Sequence, residues 1–288
     1  MKGMYCGLTL LLVVAWVTLA HGTTFDAGTG GTAVSVTDAP AAAWNPSQPL
    51  LPENIGYTTN TLIPHYQTIA DAVHSTCWGD LIAAGHTMIP VNSLNPGDLN
   101  GLDRVVVGVV SPGQVLSTAQ VDVIETFVLG GGKLVFLGEN NNHFRDNNVA
   151  VGGRFGIAYP PVGGDPPETI LNIVATHPIM QGPYGNVNTV DGSNNSSGYY
   201  GSMASAGPNG ASILDFPGGN SACVVIEPGA LGPNSGVIVA VAEVNIWDND
   251  QVNYGDNRIF WNNIFAYCPT QPTAVEAATW GAVKAVFR

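Results

Sequence analysis

The chain has 288 residues, 45% of them apolar and only 10% charged, with 8 Lys and Arg against 21 Asp and Glu. A formal charge of −13 leaves no basic stripe to neutralise phosphates, which excludes a nucleic-acid partner. The apolar content is ample for one large buried core, and few charges among many Gly, Asn, Ser and Thr point to an extracellular protein.

The first segment carries a targeting pattern. Lys2 supplies a positive start, Leu8 to Leu19 an apolar stretch, and Ala20-His21-Gly22 a small-x-small cleavage site, so residues 1–22 read as a secretory signal peptide. The stretch is short of the ~20 residues that cross a bilayer, and no later segment is apolar enough to do so. The expectation is a protein at the cell exterior or in the periplasm, without a membrane span after cleavage. The main domain then covers 23–268, and 269–288 form a spacer and a short basic tail. Thr32 to Thr37 (TAVSVT) is a first strand ending at Asp38, and a Pro, Asn and Thr segment reaching about Pro64 is a surface loop. Thr68 to Ala84 is a helix stopped by Gly85, in which Cys77 reads as a packed thiol rather than a nucleophile. His86 to Val91 is a short strand and Asn92 to Gly101 a loop.

The centre of the chain is its most legible part. Arg104 to Val110 (RVVVGVV) is a β-branched run suited to a strand covered on both faces. Ser111-Pro112-Gly113 ends it, and Ser117 with Gln120 has the spacing of a capping box that opens a helix at Thr118. Val121, Ile124, Phe127 and Val128 recur on one face of that helix, Gly130 to Gly132 close it, and Lys133 to Leu137 (KLVFL) is a second strand. A strand, a crossover helix and a second strand of this length form a right-handed parallel β-α-β unit.

Beyond it, Asn140 to Pro167 is a Gly-, Pro- and Asn-rich excursion. Thr169 to Val174, Ser212 to Phe216, Ala222 to Glu227 and Gly236 to Val244 are β-prone and give a more antiparallel finish, and Asn257 to Tyr267 is a closing helix. Of the three cysteines outside the signal, Cys223 and Cys268 are the pair expected to form a disulfide in an oxidising compartment. Asp248, Asp250 and Asp256 offer oxygen ligands to a hard cation such as Ca²⁺, although the spacing lacks the EF-hand glycine and glutamate. The plainer reading makes Asp256 the N-cap of the closing helix. Asn194 to Ser197 contain glycosylation sequons. In the tail, Trp280, Val283 and Phe287 are an anchor face if it packs on the domain; a sorting or docking element is the other reading.

The order DRVVVGVVS, STAQVDVIETFVLGGGKLVFLGEN, ATHPIMQGPYG, a late strand and DNRIFWNNIFAYC resembles a class I glutamine amidotransferase-like domain, nearest to its noncatalytic, secreted or ThuA-like branches. The resemblance covers about Thr32 to Cys268 and implies an α/β fold with a central, mostly parallel sheet, flanking helices and additional antiparallel strands in the C-terminal half. It also marks a departure. Catalytic members present a cysteine in the turn after the strand that matches Lys133 to Leu137, with a His and a Glu later. Here the turn reads Gly138-Glu139-Asn140, and His177 lies in a His-Pro segment that is a turn in the family. Thiol-based acyl transfer has no starting point without the nucleophile.

In an open α/β sheet, ligands bind at the carboxyl ends of the strands. Asp38, Ser111, Glu139, Asn140 and Asn245 are the residues expected there, with His143 and Arg145 on the rim. Glu139 and Asn140 read either as ligand-facing groups or as caps of a strand-to-helix turn. The functional expectation is a noncatalytic module that binds an extracellular ligand or protein without a cofactor. The competing reading is an extracellular hydrolase of carbohydrate or another small substrate, with Glu139 as general base, His143 beside it, and a cation at Asp248.

Overall fold

In the computed structural model, which describes residues 51–161, 170–192 and 201–269, the apolar runs become strands of one nine-stranded sheet. In chain order these are β1 (Asn54–Thr58), β2 (Thr87–Val91), β3 (Arg104–Val107), β4 (Lys133–Leu137), β5 (Ile170–Ile173), β6 (Val190–Asp191), β7 (Gly210–Asp215), β8 (Ser221–Ile226) and β9 (Ile238–Val241). The helices are α1 (Ser75–Ala83), α2 (Thr118–Leu129), α3 (Arg145–Val151) and α4 (Asn257–Ala266). The spatial order is β6-β5-β7-β8-β9-β4-β3-β1-β2. From β9 to β2 every neighbour is parallel, and from β9 through β8, β7 and β5 to β6 every neighbour is antiparallel. The chain is therefore an α/β fold with a mostly parallel centre and an antiparallel extension.

The β3-α2-β4 unit is as its sequence predicts. Ser117 Oγ accepts from the Gln120 N–H at 3.3 Å while Gln120 Oε1 accepts from the Ser117 N–H at 2.8 Å, the reciprocal capping box. Val121, Ile124 and Val128 are buried beneath the helix, and each such side chain contributes about 1.5–3 kcal/mol. The chain leaves β1 toward β2 on one side and continues from β3 to β4 on the other, so two right-handed crossovers place α1 and α2 on opposite faces. The closing helix α4 packs against α1.

Several expectations are corrected. The strand expected over Arg104 to Val110 breaks at Gly108; Val109 and Val110 leave the main sheet to pair with His65–Gln67. A Cβ on Gly108 would lie 2.8 Å from the Gln67 carbonyl, so only glycine admits this crossing ribbon. The segment read as a loop up to Pro64 contains β1, paired on both sides between β3 and the edge strand β2. Thr32 to Thr37, Asp38, the signal segment, the sequons and the tail lie outside the described residues. The helix expected from Thr68 begins as a 3-10 turn at Ala72–His74, and the excursion after Asn140 holds α3. Asp256 stands at the N-cap of α4 but does not cap it: its Oδ2 accepts instead from the N–H groups of Asn188 and Thr189 at 2.7 and 3.0 Å.

The disulfide is also corrected. Cys223 and Cys268 are both free. Cys223 pairs with Val241, which is level with Leu137 of β4, whereas Cys268 Sγ lies 2.8 Å from Nζ of Lys133 at the other end of that strand. Four residues along a strand span about 13 Å, well beyond the reach of an S–S bond.

At the amino edge of the parallel strands a single basic residue joins three elements, β3, the approach to β1 and the end of α4. Arg104, 0% exposed, donates from Nε to Glu53 Oε2 at 2.8 Å and from its terminal nitrogens to the carbonyls of Ile264, Phe265 and Tyr267 at 3.1–3.3 Å. Its guanidinium carbon is 5.3 Å from the centre of the Phe265 ring. Lys133 closes the other side of Glu53 at 2.5 Å. Burial pushes the Glu53 carboxyl up, but Arg104 and Lys133 together outweigh it and hold the group at about 2. A carboxyl depressed from 4.5 contributes stability that is present above 4.5 and lost as pH falls through about 2, on the order of 3 kcal/mol. Glu53→Gln leaves Arg104 buried without its charged partner and should destabilise the fold by about 3–5 kcal/mol in urea titration at pH 7. It should also flatten the acid limb between pH 4.5 and 2, and an unchanged midpoint would refute the role given to this ion pair.

Candidate functional site at the carboxyl edge

The parallel strands β4 and β9 end in acidic residues. β4 runs into Gly138-Glu139, and β9 into Ala242-Glu243-Val244-Asn245. The Gly138 N–H donates to the Val241 carbonyl at 2.7 Å, which carries the pairing of the two strands past their ends and sets Glu139 beside Glu243. Both side chains are only 2% exposed. Their carboxyls face each other closely enough to hydrogen-bond when one of them holds a proton.

The remaining lone pairs are filled. Glu139 Oε1 accepts from the backbone and side-chain nitrogens of Asn140 at 2.9 and 3.1 Å, and its Oε2 accepts from Asn245 Nδ2 at 3.1 Å. Asn245 Oδ1 in turn accepts from Gln67 Nε2 at 3.0 Å. Glu243 accepts from the Gly201 N–H at 3.0 Å and the Asn245 N–H at 3.2 Å. Gly201 lies so close over the pair that an added Cβ would collide with the Ala242 carbonyl and the Glu139 backbone. Asn148 on α3 donates to the Glu139 carbonyl at 2.8 Å and to Asn141 Oδ1 at 3.2 Å, and Asn141 donates to the Ser202 carbonyl at 3.0 Å.

Desolvation raises both carboxyls; for Glu243 the neighbouring Glu139 charge adds to it and lifts the group well above the ordinary range. Asp248 is pushed up to about 7, by burial first and then by the charges of Asp250 and Glu139. Over this edge stands Tyr66, 51% exposed, its ring tilted against that of Phe144 with the centroids 5.3 Å apart. The Tyr66 hydroxyl is raised by burial and by the charges of Glu139, Asp248 and Glu243.

Of the residues expected here, Glu139, Asn140 and Asn245 come together, Asp38 lies outside the described residues, and Ser111, His143 and Arg145 make other contacts. Ser111 holds a separate turn through its N–H to the Pro64 carbonyl and its carbonyl from the Gln114 N–H. His143 is exposed, its ring edge-on to Phe144 at 6.3 Å, and Arg145 donates to the Pro160 carbonyl at 2.9 Å. The three aspartates read as a cation site are not assembled. Asp256 is occupied by the backbone at 188–189, and no group of three His, Cys, Asp or Glu among the described residues is placed to hold a metal. Sequence reasoning missed Glu243, Gln67 and Asn148. Glu243 had a usable signal, a lone acid at the end of the run Gly236 to Ala242; the amides had none.

Two cavities lie elsewhere. A groove of about 850 Å³ opens at the amino edge, between the 94–103 loop and α2, and a smaller polar one of about 280 Å³ lies beside Thr176 and Asn188. His177, near that second cavity, is the turn residue the sequence predicts. Its Nδ1 accepts from the Ile179 N–H, which leaves Nε2 to donate to Glu227 at 2.9 Å, and Glu227 also accepts from the Tyr267 hydroxyl at 2.7 Å. Cys77 is fully buried in α1, and burial pushes its thiol far up, as befits a packed thiol.

No family model and no curated protein matches the chain. Solved structures do. The mmIFT52 N-terminal domain superposes with a TM-score of 0.57 at 10% identity over 74% of this chain and 95% of that one. The cytoplasmic protein STM1381 of Salmonella typhimurium LT2 superposes with a TM-score of 0.51 at 12% identity over 74% and 98%. A ThuA-like protein of Bacteroides uniformis is similar at 12% identity over 80% and 93%, but its TM-score of 0.42 is too low to bear on the argument. At these identities the likeness is one of fold.

The carboxyl pair makes a pH dependence of definite sign. Folded, it keeps a proton that an unfolded chain with carboxyls near 4.5 has released, so its contribution is full below about 4.5 and is lost as pH rises through the folded value. Asp248 acts in the same direction up to about 7. Thermal melts should therefore show stability falling from pH 5 toward 8, by at most about 1.4 kcal/mol per pH unit for each proton. Glu243→Gln, which keeps a donor toward Glu139, should flatten that slope, and a slope unaltered by the substitution would mean that Glu243 carries no proton.

Proposed function

We propose that the chain is an exported, noncatalytic α/β module of the amidotransferase-like type that binds an extracellular ligand at the carboxyl edge of its sheet. The observation that carries this reading is the state of Glu139. It stands at the turn where the related enzymes keep their cysteine, yet it is 2% exposed and both of its oxygens are engaged. A carboxylate sealed in this way supports architecture better than proton transfer to a bound substrate. What the edge offers a ligand is its surface: the open face of Tyr66 and the polar turn from Asn140 to His143. An exposed aromatic ring beside amide groups suits a neutral, polyhydroxylated ligand such as an extracellular carbohydrate, which presents apolar C–H faces and hydroxyls together. Export rests on the signal-like pattern of residues 1–22 and on the low charge content.

The hydrolase reading retains one favourable observation, that burial raises the carboxyls of Glu139 and Glu243 above the ordinary range and that of Asp248 to about 7. The two readings separate on a panel of immobilised polysaccharides and soluble glycosides. A binding module should retain a polysaccharide without turnover. Tyr66→Ala should weaken retention roughly 10-fold, equivalent to about 1.4 kcal/mol, while Glu139→Gln leaves it unchanged. Turnover by the native chain that Glu139→Gln abolishes would overturn the proposal in favour of the hydrolase.

A further inference from the structure

The two edges of the sheet hold their buried acids differently. At the amino edge Glu53 meets Arg104 at 2.8 Å and Lys133 at 2.5 Å. At the carboxyl edge the hydrogen-bond partners of Glu139 and Glu243 include no basic side chain. Asp248, its side chain 20% exposed, faces the His74 imidazole at 3.4 Å, a ring that burial disfavours as a cation.

The amides around Glu139 are oriented from it outward. Both of its oxygens accept, so Asn245 turns Nδ2 toward Oε2 at 3.1 Å and presents Oδ1 on its other side, where Gln67 Nε2 donates at 3.0 Å. Gln67 Oε1 is left over. Asn140 likewise spends Nδ2 on Glu139 Oε1 at 3.1 Å and leaves its own Oδ1. Both amide oxygens are buried without a partner, and Gln67 as a whole is 8% exposed. The Asp248 N–H donates to the Asn245 carbonyl at 3.1 Å, which ties that acid to the same cluster. The surplus at this edge is therefore of acceptors and of negative charge, with the half-exposed Tyr66 ring over it. A water molecule would satisfy the amide oxygens but leave the charge. An ammonium group answers both, since it has three donors, no acceptor and an attraction to an aromatic face.

We propose that the carboxyl edge holds a subsite for one primary ammonium group, taken by Gln67 Oε1, Asn140 Oδ1 and the Asp248 carboxylate beside the Tyr66 ring, so that the polyhydroxylated ligand is an amino sugar. The inference rests on the reading of Tyr66 as the ligand platform and adds one charged group to the sugar it takes. An ammonium here stands to Asp248 as Lys133 stands to Glu53. It favours the ionised carboxyl, which burial and the charges of Asp250 and Glu139 otherwise push up to about 7. N-acetylation removes the charge and two of the three donors, so the subsite selects against the acetylated sugar.

Soluble tetrasaccharides of glucosamine and of N-acetylglucosamine test this, because they share a backbone and differ at the amine. Calorimetric titration of the full chain at pH 6.5 should give a Kd at least roughly 10-fold lower for the glucosamine form. Asp248→Asn keeps the shape of the side chain and should abolish that preference, and Asn140→Ala, at a half-buried turn position, should reduce it; melting checks that each variant is folded. Glu125→Gln, the same change of charge on α2, should leave the preference intact. An equal loss in Glu125→Gln overturns the proposal, since the attraction would then be that of an acidic chain for any polycation. A preference that survives Asp248→Asn overturns it too. Equal affinity for the two sugars overturns the ammonium subsite and leaves the binding reading standing, whereas binding of neither overturns both. A melting temperature raised by Ca²⁺ but not by the glucosamine sugar would assign the acceptors to a metal ion and overturn the proposal as well.

Discussion

The ion pair between Arg104 and Glu53 is the constraint to which the rest of the fold is tied. An arginine without solvent contact is tolerated only where every donor finds an acceptor, and here the acceptors come from the approach to β1 and the last turn of α4. Because Lys133 of β4 meets the same carboxylate, three adjacent parallel strands and the closing helix are pinned at one edge by a single charge cluster. That fixes where α4 ends, and so where the chain emerges at Cys268. The alternative of a hydrophobic centre would also pack, but it would not specify which helix turn sits over which strand.

The opposite edge is held by different chemistry. At the amino edge a carboxylate is stabilised by two cations, whereas at the carboxyl edge two carboxyls face each other with no cation named among their partners and resolve the conflict by sharing a proton. Glu139 and Glu243 can stay buried because Asn140, Gly201 and Asn245 donate to their oxygens, and Gln67 in turn donates to Asn245 Oδ1. The two edges consequently respond to pH in opposite directions, the first weakened by acid and the second by base. This network closes the end of the sheet over both carboxyls, although Gln67 Oε1 and Asn140 Oδ1 within it are buried without a hydrogen-bond partner.

The fold neighbours agree with the backbone of this account and no more. A shared mostly parallel sheet at 10–12% identity says how the strands are laid out, while the groups at the strand ends belong to this chain.

The amino-acid sequence by itself determined the β3-α2-β4 unit, β2, the antiparallel finish and α4, because each rests on local periodicity: β-branched runs, a capping box, and Phe260 and Ile264 one helical turn apart. It also placed Glu139, Asn140 and Asn245 at one edge, from the rule that strand ends converge. Only the tertiary structure decided the rest. Asn54–Thr58 has a glycine at its centre and no β-branched run, and it is a strand because β2 and β3 supply hydrogen bonds on both sides. Arg145–Val151 is rich in Asn, a poor helix former, and is held as a helix by Asn147 accepting from the Leu116 N–H and Asn148 donating to the Glu139 carbonyl. The pairing of Glu139 with Glu243, and the separation of Cys223 from Cys268, depend on register across strands far apart in the chain. Such register follows from long-range pairing and leaves no trace in local composition.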